Sequence, residues 1–245
     1  MTYSPFFLHG AERPARWVIC CDHATNYVPP FVNSGDLGLP SEDMGRHIAY
    51  DIGAYGVAKH LGQLLDAPVI ASNFSRLVID PNRGADDPTL LMKLYDGTLI
   101  PGNRHADEVE RSARVAACYQ PYHDSLADLL TRPESILISI HSFTRQLRGR
   151  APRPWHIGIL SPDGEKLSPH IVTKLQDEPD LCVGINAPYT GYLPGDTLDR
   201  HGTAYGRPNS LIELRNDLIE IPEDQHAWAT RLADVLPQAL EASKL

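Results

Sequence analysis

The chain has 245 residues, 42% of them apolar, and a formal net charge of −9 at pH 7. This size and composition predict a globular protein with one domain spanning residues 1–245. The acidic balance argues against nucleic acid as a partner. No apolar run reaches the length of a membrane span and the N-terminus lacks a signal-peptide pattern, so we expect a cytoplasmic protein that does not bind membranes.

The first clear element is the apolar run Trp17–Cys21, which predicts a buried strand. It ends at a polar cluster that contains Asp22, His23 and Asn26. Ligands of open α/β sheets bind beyond the carboxyl ends of the strands, so His23 and Asn26 are candidate functional residues. The alternative is a turn in which Asp22 and Asn26 cap backbone amides.

The rest of the chain alternates between helical and extended patterns. A helix is predicted from Ser41 to Asp66, with His47 and Asp51 on one face. The further predictions are strands at 68–71 and 76–79, a bent helix at 104–131, strands at 135–141 and 155–160, a helix at 165–176, strands at 181–185 and 209–214, and a helix at 223–241. This alternation predicts an α/β fold with three layers, in which helices cover both faces of a mostly parallel, mixed sheet. Residues 84–103 and 186–207 are long irregular segments, which are often functional.

Two more predicted strands end in residues that carry chemistry. His141 and Ser142 close one of them, and Glu213 and Arg215 close another. Two histidines with one oxygen ligand are common in catalytic zinc sites, and a nearby glutamate can take a proton from the attacking water. No single spacing here is specific for zinc, so structural histidines held by hydrogen bonds remain the alternative.

Arginines suggest an anionic ligand. Arg76, Asn82 and Arg83 lie around one predicted strand, and guanidinium groups bind carboxylates through two hydrogen bonds. The alternative is that Asp80 pairs with one of these arginines at the surface. A second arginine cluster, which includes Arg148, follows His141, and it suits either a small anion or a solvated loop.

An ordered set of motifs resembles the N-formylglutamate amidohydrolase family over residues 16–235. The motifs are C-D-H-A-T-N, H-I-A-Y-D-I-G-A, S-R-L-V-I-D-P-N-R, P-Y-H, S-I-H-S-F, W-H-I-G-I-L, N-A-P-Y and I-E-L-R-N-D-L. The resemblance implies a fold similar to zinc-dependent exopeptidases of the carboxypeptidase type. It also implies hydrolysis of an N-acyl amino acid, with one zinc ion per chain.

Carried over to this sequence, the resemblance implies that His23, Asn26 and His141 bind the metal and that Glu213 is the general base. Asn26 stands where metallocarboxypeptidases carry a glutamate, and an amide oxygen is a weaker ligand. Asp22, His47 and Asp51 are therefore alternative third ligands.

The other implied residues bind the substrate. Arg76, Asn82 and Arg83 would hold its α-carboxylate, with Asn82 and Arg83 as the clamp that fixes it. The chemistry of the reaction also makes Arg76 our candidate for stabilising the developing oxyanion, and the segment Arg145–Arg153, with Arg148, our candidate for binding a second carboxylate. We thus expect an enzyme that cleaves the amide of N-formylglutamate or a similar small anionic N-acyl amino acid. The alternatives are an inactive carboxylate-binding protein, favoured by Asn26, and a carboxypeptidase acting on short peptides, which would need an open groove.

Overall fold

The computed structural model describes residues 3–245, whose strands form a seven-stranded sheet and a separate two-stranded hairpin. In chain order the strands are β1 (Phe6–His9), β2 (Trp17–Cys21), β3 (Val69–Ser72), β4 (Leu94–Tyr95), β5 (Thr98–Leu99), β6 (Ile136–Phe143), β7 (Ile157–Leu160), β8 (Val183–Ile185) and β9 (Asn209–Arg215). The hairpin consists of β4 and β5, and the large sheet has the order β1-β3-β2-β6-β9-β7-β8.

The centre of the large sheet is parallel. Strands β3, β2, β6 and β9 run in the same direction, whereas β1 pairs antiparallel with β3 and β7 pairs antiparallel with β9. Strand β8 pairs parallel with β7. The predicted mixed, mostly parallel sheet is confirmed, and its four central strands end at one edge.

Helices cover both faces of this sheet. The α-helices are α1 (Ser41–Met44), α2 (Ala54–Leu64), α3 (Glu108–Arg114), α4 (Gln120–Leu129), α5 (Ser168–Gln176), α6 (Thr197–His201) and α7 (Pro222–Ser243). A π-helical turn, Val115–Tyr119, joins α3 to α4. Short 3₁₀ helices lie at Asn33–Gly35, Pro101–Asn103, Thr203–Tyr205 and Asn216–Leu218. The predicted three-layer α/β fold is confirmed.

Each face of the sheet buries its own apolar core. Alternate strand residues point to opposite faces, so Cys21 joins the core beneath α2, α5 and α7 while Cys20 joins the core beneath α4. In β6, Ile138 and Ile140 belong to the first core and Leu137 to the second. The same alternation directs His141 to the α4 face of the sheet.

Two local predictions are wrong. The helix predicted across residues 41–66 is interrupted at residues 45–53, between α1 and α2. Gly53, directly before α2, has a φ of +79°, and a Cβ there would lie 2.1 Å from the Ile219 carbonyl oxygen. His47 and Asp51 therefore do not share a helix face. Residues 76–79 form a turn rather than a strand, and the Val78 amide donates to the Ser75 carbonyl at 2.9 Å. Their apolar character reflects burial, since Leu77, Val78 and Ile79 are inaccessible to solvent.

No helix within residues 3–245 combines the length and the apolar character needed to cross a lipid bilayer.

Candidate active site

Three neighbouring parallel strands bring the predicted residues to one edge of the sheet. His23 lies two residues beyond β2, His141 lies near the end of β6, and Glu213 lies near the end of β9. His141 and Glu213 are direct partners in the β6–β9 register. The strand ends that the sequence singled out are therefore neighbours in space.

His23, Asp51 and His141 form a cluster that we call the metal group. Their possible ligand atoms all lie within 4.8 Å of one another, and the three residues are 1%, 3% and 2% exposed. Asp51 Oδ2 is 3.3 Å from His23 Nδ1 and 2.8 Å from His141 Nδ1. Asp51 reaches this position because the chain leaves helical geometry before α2.

The other ring nitrogen of each histidine contacts a second buried carboxylate. His23 Nε2 is 2.7 Å from Asp80 Oδ1, and His141 Nε2 is 3.0 Å from Asp22 Oδ2. A carboxylate only accepts hydrogen bonds, so a proton on Nε2 satisfies each of these contacts. Each Nδ1 also faces a carboxylate oxygen, that of Asp51, as a donor when the ring is protonated and as a lone pair when it is neutral. In the neutral rings, both Nδ1 atoms then carry lone pairs directed at Asp51.

Two nitrogen lone pairs and a carboxylate oxygen make a set of acceptors that a cation satisfies. This donor set fits zinc, which binds neutral imidazole and carboxylate ligands. Burial disfavours a charged His141, but Asp22 and Asp51 outweigh that effect and raise its pKa well above the usual value. A proton on His141 and a metal ion are thus alternative ways of balancing the same negative charges.

Asp22 contacts His141 on the side of the ring that faces away from Asp51. Its Oδ1 accepts hydrogen bonds from the Tyr122 and Thr197 hydroxyls at 2.8 and 2.9 Å, and its Oδ2 accepts one from Ser139 at 3.0 Å. Burial would raise the pKa of Asp22, but the hydrogen bond and charge of His141 lower it to about 2. Asp22 is an orienting carboxylate of the kind that accompanies histidine ligands of metals.

Glu213 faces the metal group with an unsatisfied oxygen. Its side chain is buried, and Oε2 has no hydrogen-bond partner among residues 3–245. Burial raises its pKa to about 7. A buried carboxyl with a free oxygen and a pKa near neutrality has the properties of a general base.

Arg76 is paired with buried carboxylates. Its Nη2 and Nε lie 2.8 and 3.2 Å from Asp80 Oδ2, and its Nη1 lies 3.5 Å from Asp51 Oδ1. The pair with Asp80 that the sequence offered as an alternative does form, but in the interior and not at the surface. Arg76 nevertheless lines the same cavity as the metal group.

Asn82 and Arg83, the predicted clamp, lie on the wall of this cavity. The backbone amide of Asn82 donates to Asp80 Oδ1 at 2.9 Å, so the carboxylate that contacts His23 also fixes the clamp backbone. Asn82 Oδ1 accepts a hydrogen bond from the Thr197 amide at 3.1 Å, and Arg83 Nη1 donates to the Asn82 carbonyl at 2.7 Å. Asp80 therefore connects the metal group to the clamp.

The cavity has a volume of about 280 Å³ and is lined by the metal group, Glu213, Arg76 and the clamp. Its remaining wall comes largely from the irregular segments, with Tyr95 from one and Tyr189, Thr190, Leu193 and Asp196 from the other. Burial raises the pKa of Asp196 to about 6. Both long segments thus contribute to the walls of a space the size of a small molecule.

Two predicted site residues lie elsewhere. Asn26 is exposed and its Nδ2 donates to the Met44 carbonyl at 2.8 Å, so the structure does not bring it to the metal group. Among the alternative ligands, Asp51 occupies the group, Asp22 lies behind His141, and His47 Nε2 is 3.4 Å from Asp96. Since Asp51 supplies a carboxylate, Asn26 no longer argues for a non-catalytic protein.

Arg148 is exposed and does not line the cavity. The arginine of this cluster that approaches the cavity is Arg153, whose Nη1 donates to the Thr144 carbonyl at 3.0 Å and to the Tyr189 hydroxyl at 3.3 Å. Its guanidinium also lies 5.1 Å from the centre of the Tyr189 ring. The sequence predicted a cationic segment here, but it did not show which of its arginines turns towards the cavity.

Tyr95, Tyr189 and Asp196 line the cavity, but the sequence did not predict them as site residues. They come from the irregular segments, where periodicity gives no signal. The available hints were the N-A-P-Y motif, which contains Tyr189, and the length of the segments themselves.

Comparison with known proteins identifies the family of this chain. The model of the N-formylglutamate amidohydrolase family matches residues 15–220. N-formylglutamate deformylases from Pseudomonas aeruginosa and Pseudomonas putida are both 28% identical over 177 residues, which is 64% of this chain and 63% and 62% of theirs. The matched region therefore spans less than two thirds of these curated relatives.

Solved structures cover nearly the whole chain. A gene product of Agrobacterium tumefaciens is 31% identical, with a TM-score of 0.92 over 99% of this chain and 97% of its own. The N-formylglutamate amidohydrolase of Ralstonia eutropha JMP134 shares the fold, with 20% identity and a TM-score of 0.72 over 96% of this chain and 99% of its own. With the family match across most of its length, this chain belongs to the N-formylglutamate amidohydrolase family.

Proposed function

We propose that this protein hydrolyses the amide bond of N-formylglutamate or a similar N-acyl amino acid. The observation that carries the proposal is one cavity of about 280 Å³ that joins the metal group, Glu213 and the clamp. In such a substrate the scissile amide is next to the α-carboxylate, so a carboxylate site beside a hydrolytic centre matches its chemistry. Family membership and the names of the Pseudomonas relatives support the same substrate class.

We further propose that His23, Asp51 and His141 hold one zinc ion. Zinc bound there would polarise the scissile carbonyl and acidify the attacking water. Asp80 and Asp22 keep both imidazoles in the tautomer that presents Nδ1 to the ion. Asp22 and Asp80 thus position ligands and do not themselves bind the metal.

The remaining steps belong to the side chains of the cavity. Asn82 and Arg83 bind the α-carboxylate and orient the acyl group. Glu213 accepts a proton from the attacking water as the carbon–oxygen bond forms, and then gives a proton to the amide nitrogen as the carbon–nitrogen bond breaks. Arg76 is the candidate for stabilising negative charge on the carbonyl oxygen. The products are the free amino acid and formate, or the corresponding acid.

The size of the cavity favours this reaction over carboxypeptidase activity. Both long segments contribute to its walls, with Tyr95 from one and Tyr189 from the other, and its volume of about 280 Å³ suits a single amino acid with a short acyl group. A carboxypeptidase on this fold would need room for a peptide on the acyl side.

The test measures formate release from N-formylglutamate by the zinc-loaded protein and by Glu213→Gln. We expect turnover by the wild type and a loss of about 10²- to 10⁴-fold in kcat for the variant, because the amide cannot accept the proton. Zinc content and the unfolding midpoint of Glu213→Gln should match the wild type. If Glu213→Gln turned over the substrate at the wild-type rate, Glu213 would not be the base. If the zinc-loaded wild type hydrolysed none of the N-acyl amino acids, the proposal would be refuted.

A further inference from the structure

The clamp rests on a set of buried side chains that the reaction does not use directly. Helix α4 and the π-helical turn before it present Tyr119, Tyr122 and His123 to the interior beneath the cavity. Tyr119 and His123 are both 1% exposed. Tyr122 contacts Asp22 on the metal side, whereas Tyr119 and His123 contact the backbone of the clamp.

Tyr119 fixes the Arg83 carbonyl. Its hydroxyl donates to that oxygen at 2.8 Å, while Arg200 Nη1 donates to the same hydroxyl at 3.1 Å. Since an arginine only donates, the phenolic proton remains available for the Arg83 carbonyl. The Arg200 guanidinium also lies 5.4 Å from the centre of the Tyr119 ring, which holds the ring in place.

His123 fixes the Pro81 carbonyl in the same manner. Its Nε2 is 3.0 Å from that oxygen and must donate, because a carbonyl only accepts. The Nδ1 of the neutral ring is then an acceptor, so the contact of 2.9 Å to His201 Nε2 is a hydrogen bond donated by His201. The contacts of His123 with His201 and Pro81 thus define one arrangement of protons. In that arrangement His123 donates to the Pro81 carbonyl and supports the clamp backbone.

The Asn82 carbonyl, between those of Pro81 and Arg83, also accepts a hydrogen bond, because Arg83 Nη1 donates to it at 2.7 Å. Further back, Arg114 Nη1 donates to the Val78 carbonyl at 2.8 Å. The carbonyls of Val78, Pro81 and Arg83 are therefore held by side chains of one continuous helical segment, which runs from α3 through the π-helical turn to α4. A π-helical turn within that surface is a local irregularity of a type often found near functional sites.

We propose that Tyr119 and His123 are positioning residues for substrate recognition, which hold Asn82 and Arg83 in the geometry that binds the α-carboxylate. This inference rests on the proposed function, because it assigns them to the clamp of the same site. It predicts that removing either contact weakens binding of a substrate through its α-carboxylate and leaves the metal group intact. A general structural role would instead weaken binding of all ligands alike.

The experiment measures ligand binding by calorimetry in the zinc-loaded Glu213→Gln protein, in which the ligand is not consumed. The two probes are N-formylglutamate and its α-carboxamide, which lacks the charge that the clamp recognises. We expect Tyr119→Phe and His123→Leu each to raise the Kd of N-formylglutamate by about 3- to 10-fold, the effect of one neutral hydrogen bond, and to leave the Kd of the carboxamide unchanged.

Two single variants and one double variant provide matched controls. Tyr122→Phe removes the same hydroxyl from the same helix but affects Asp22, so it should not change the ratio of the two Kd values. His123→Gln retains a donor for the Pro81 carbonyl and should restore binding relative to His123→Leu. In an Arg83→Ala background, Tyr119→Phe should have a smaller effect than in the parent protein, because Asn82 is then the only clamp side chain that remains to be positioned.

The possible results separate the two proposals. Equal weakening of acid and carboxamide, or no change in either, overturns the positioning role while the proposed function stands. If the parent Glu213→Gln protein binds neither ligand, the proposed function fails and the inference fails with it. Should Tyr119→Phe not fold, as judged by its unfolding midpoint, the comparison of His123→Leu with His123→Gln decides alone.

Discussion

The half of the cavity that contains the metal group is organised by charge, whereas the half that contains the clamp is organised mainly by neutral hydrogen bonds to the backbone. In the first half, His23 and His141 lie between buried carboxylates. In the second, tyrosine and histidine donors hold the carbonyls of Pro81 and Arg83. The two halves meet at Asp80, which contacts both His23 and the Asn82 amide.

This difference predicts two kinds of response to substitution. Removing one member of a buried charged set leaves the others uncompensated, which costs several kcal/mol. Removing one neutral hydrogen bond costs about 0.5–1.5 kcal/mol. The metal half should therefore fail completely when one residue is lost, and the clamp half should weaken in steps.

The largest effect is expected in the metal half. Asp51→Ala and His141→Ala should each lose bound zinc and all measurable hydrolysis, because two remaining ligands do not make a stable zinc site. Metal analysis of protein purified without a metal-binding tag measures the first effect and formate release the second. His105→Ala, at an exposed histidine, is the control and should keep about one zinc per chain. Full zinc content in either test variant would show that the metal lies elsewhere.

A smaller loss is expected in the clamp half. Arg83→Ala should lower kcat/KM for N-formylglutamate by about 10- to 150-fold, since a charged hydrogen bond contributes about 1.5–3 kcal/mol. Zinc content should stay at the wild-type level, unlike that of Asp51→Ala. The same variant should process the α-carboxamide of the substrate as the wild type does. A similar loss on both substrates would contradict the assignment of Arg83 to the α-carboxylate.

The pH dependence of the wild type reports on Glu213, which lies on the metal side. Burial raises its pKa to about 7, and only the carboxylate form can accept a proton from water. We therefore expect kcat/KM to be constant above this pKa and to fall about tenfold per pH unit below it. The residual activity of Glu213→Gln should lack this acidic limb. A wild-type profile that is flat between pH 5 and 8 would contradict the role of Glu213 as the base.

The sequence predicted those parts of the site that lie on regular strands. The apolar runs before His23, around His141 and before Glu213 define strands, and parallel strands of one sheet bring their carboxyl ends together. Period-two alternation also places His141 and Glu213 on the same face. Once the strands are assigned, these positions follow from local patterns alone.

The parts that the sequence did not predict depend on tertiary contacts. The apolar spacing from Ile48 to Tyr55 is helical, but residues 45–53 are not, and Gly53 at the end of this stretch lies against the Ile219 carbonyl, a contact that local spacing does not reveal. Asp51 joins the metal group as a result of that break, so it remained one of several alternatives. Asn26 was favoured by its spacing from His23, but the chain turns it towards Met44 and solvent.

The smallest predicted effects are changes in KM, and they distinguish Arg148 from Arg153 in the segment that follows His141. Arg148 is exposed and away from the cavity, whereas Arg153 donates to the Tyr189 hydroxyl and lies against its ring. Arg148→Ala should change KM for N-formylglutamate less than about twofold, as expected for a surface residue. Arg153→Ala should raise KM by about 2- to 10-fold, because Tyr189 loses a hydrogen bond that orients it in the cavity. The two substitutions remove the same charge from the same segment. Equal changes in KM at low salt, abolished at high salt, would mean that the segment acts through its overall charge and not through Tyr189.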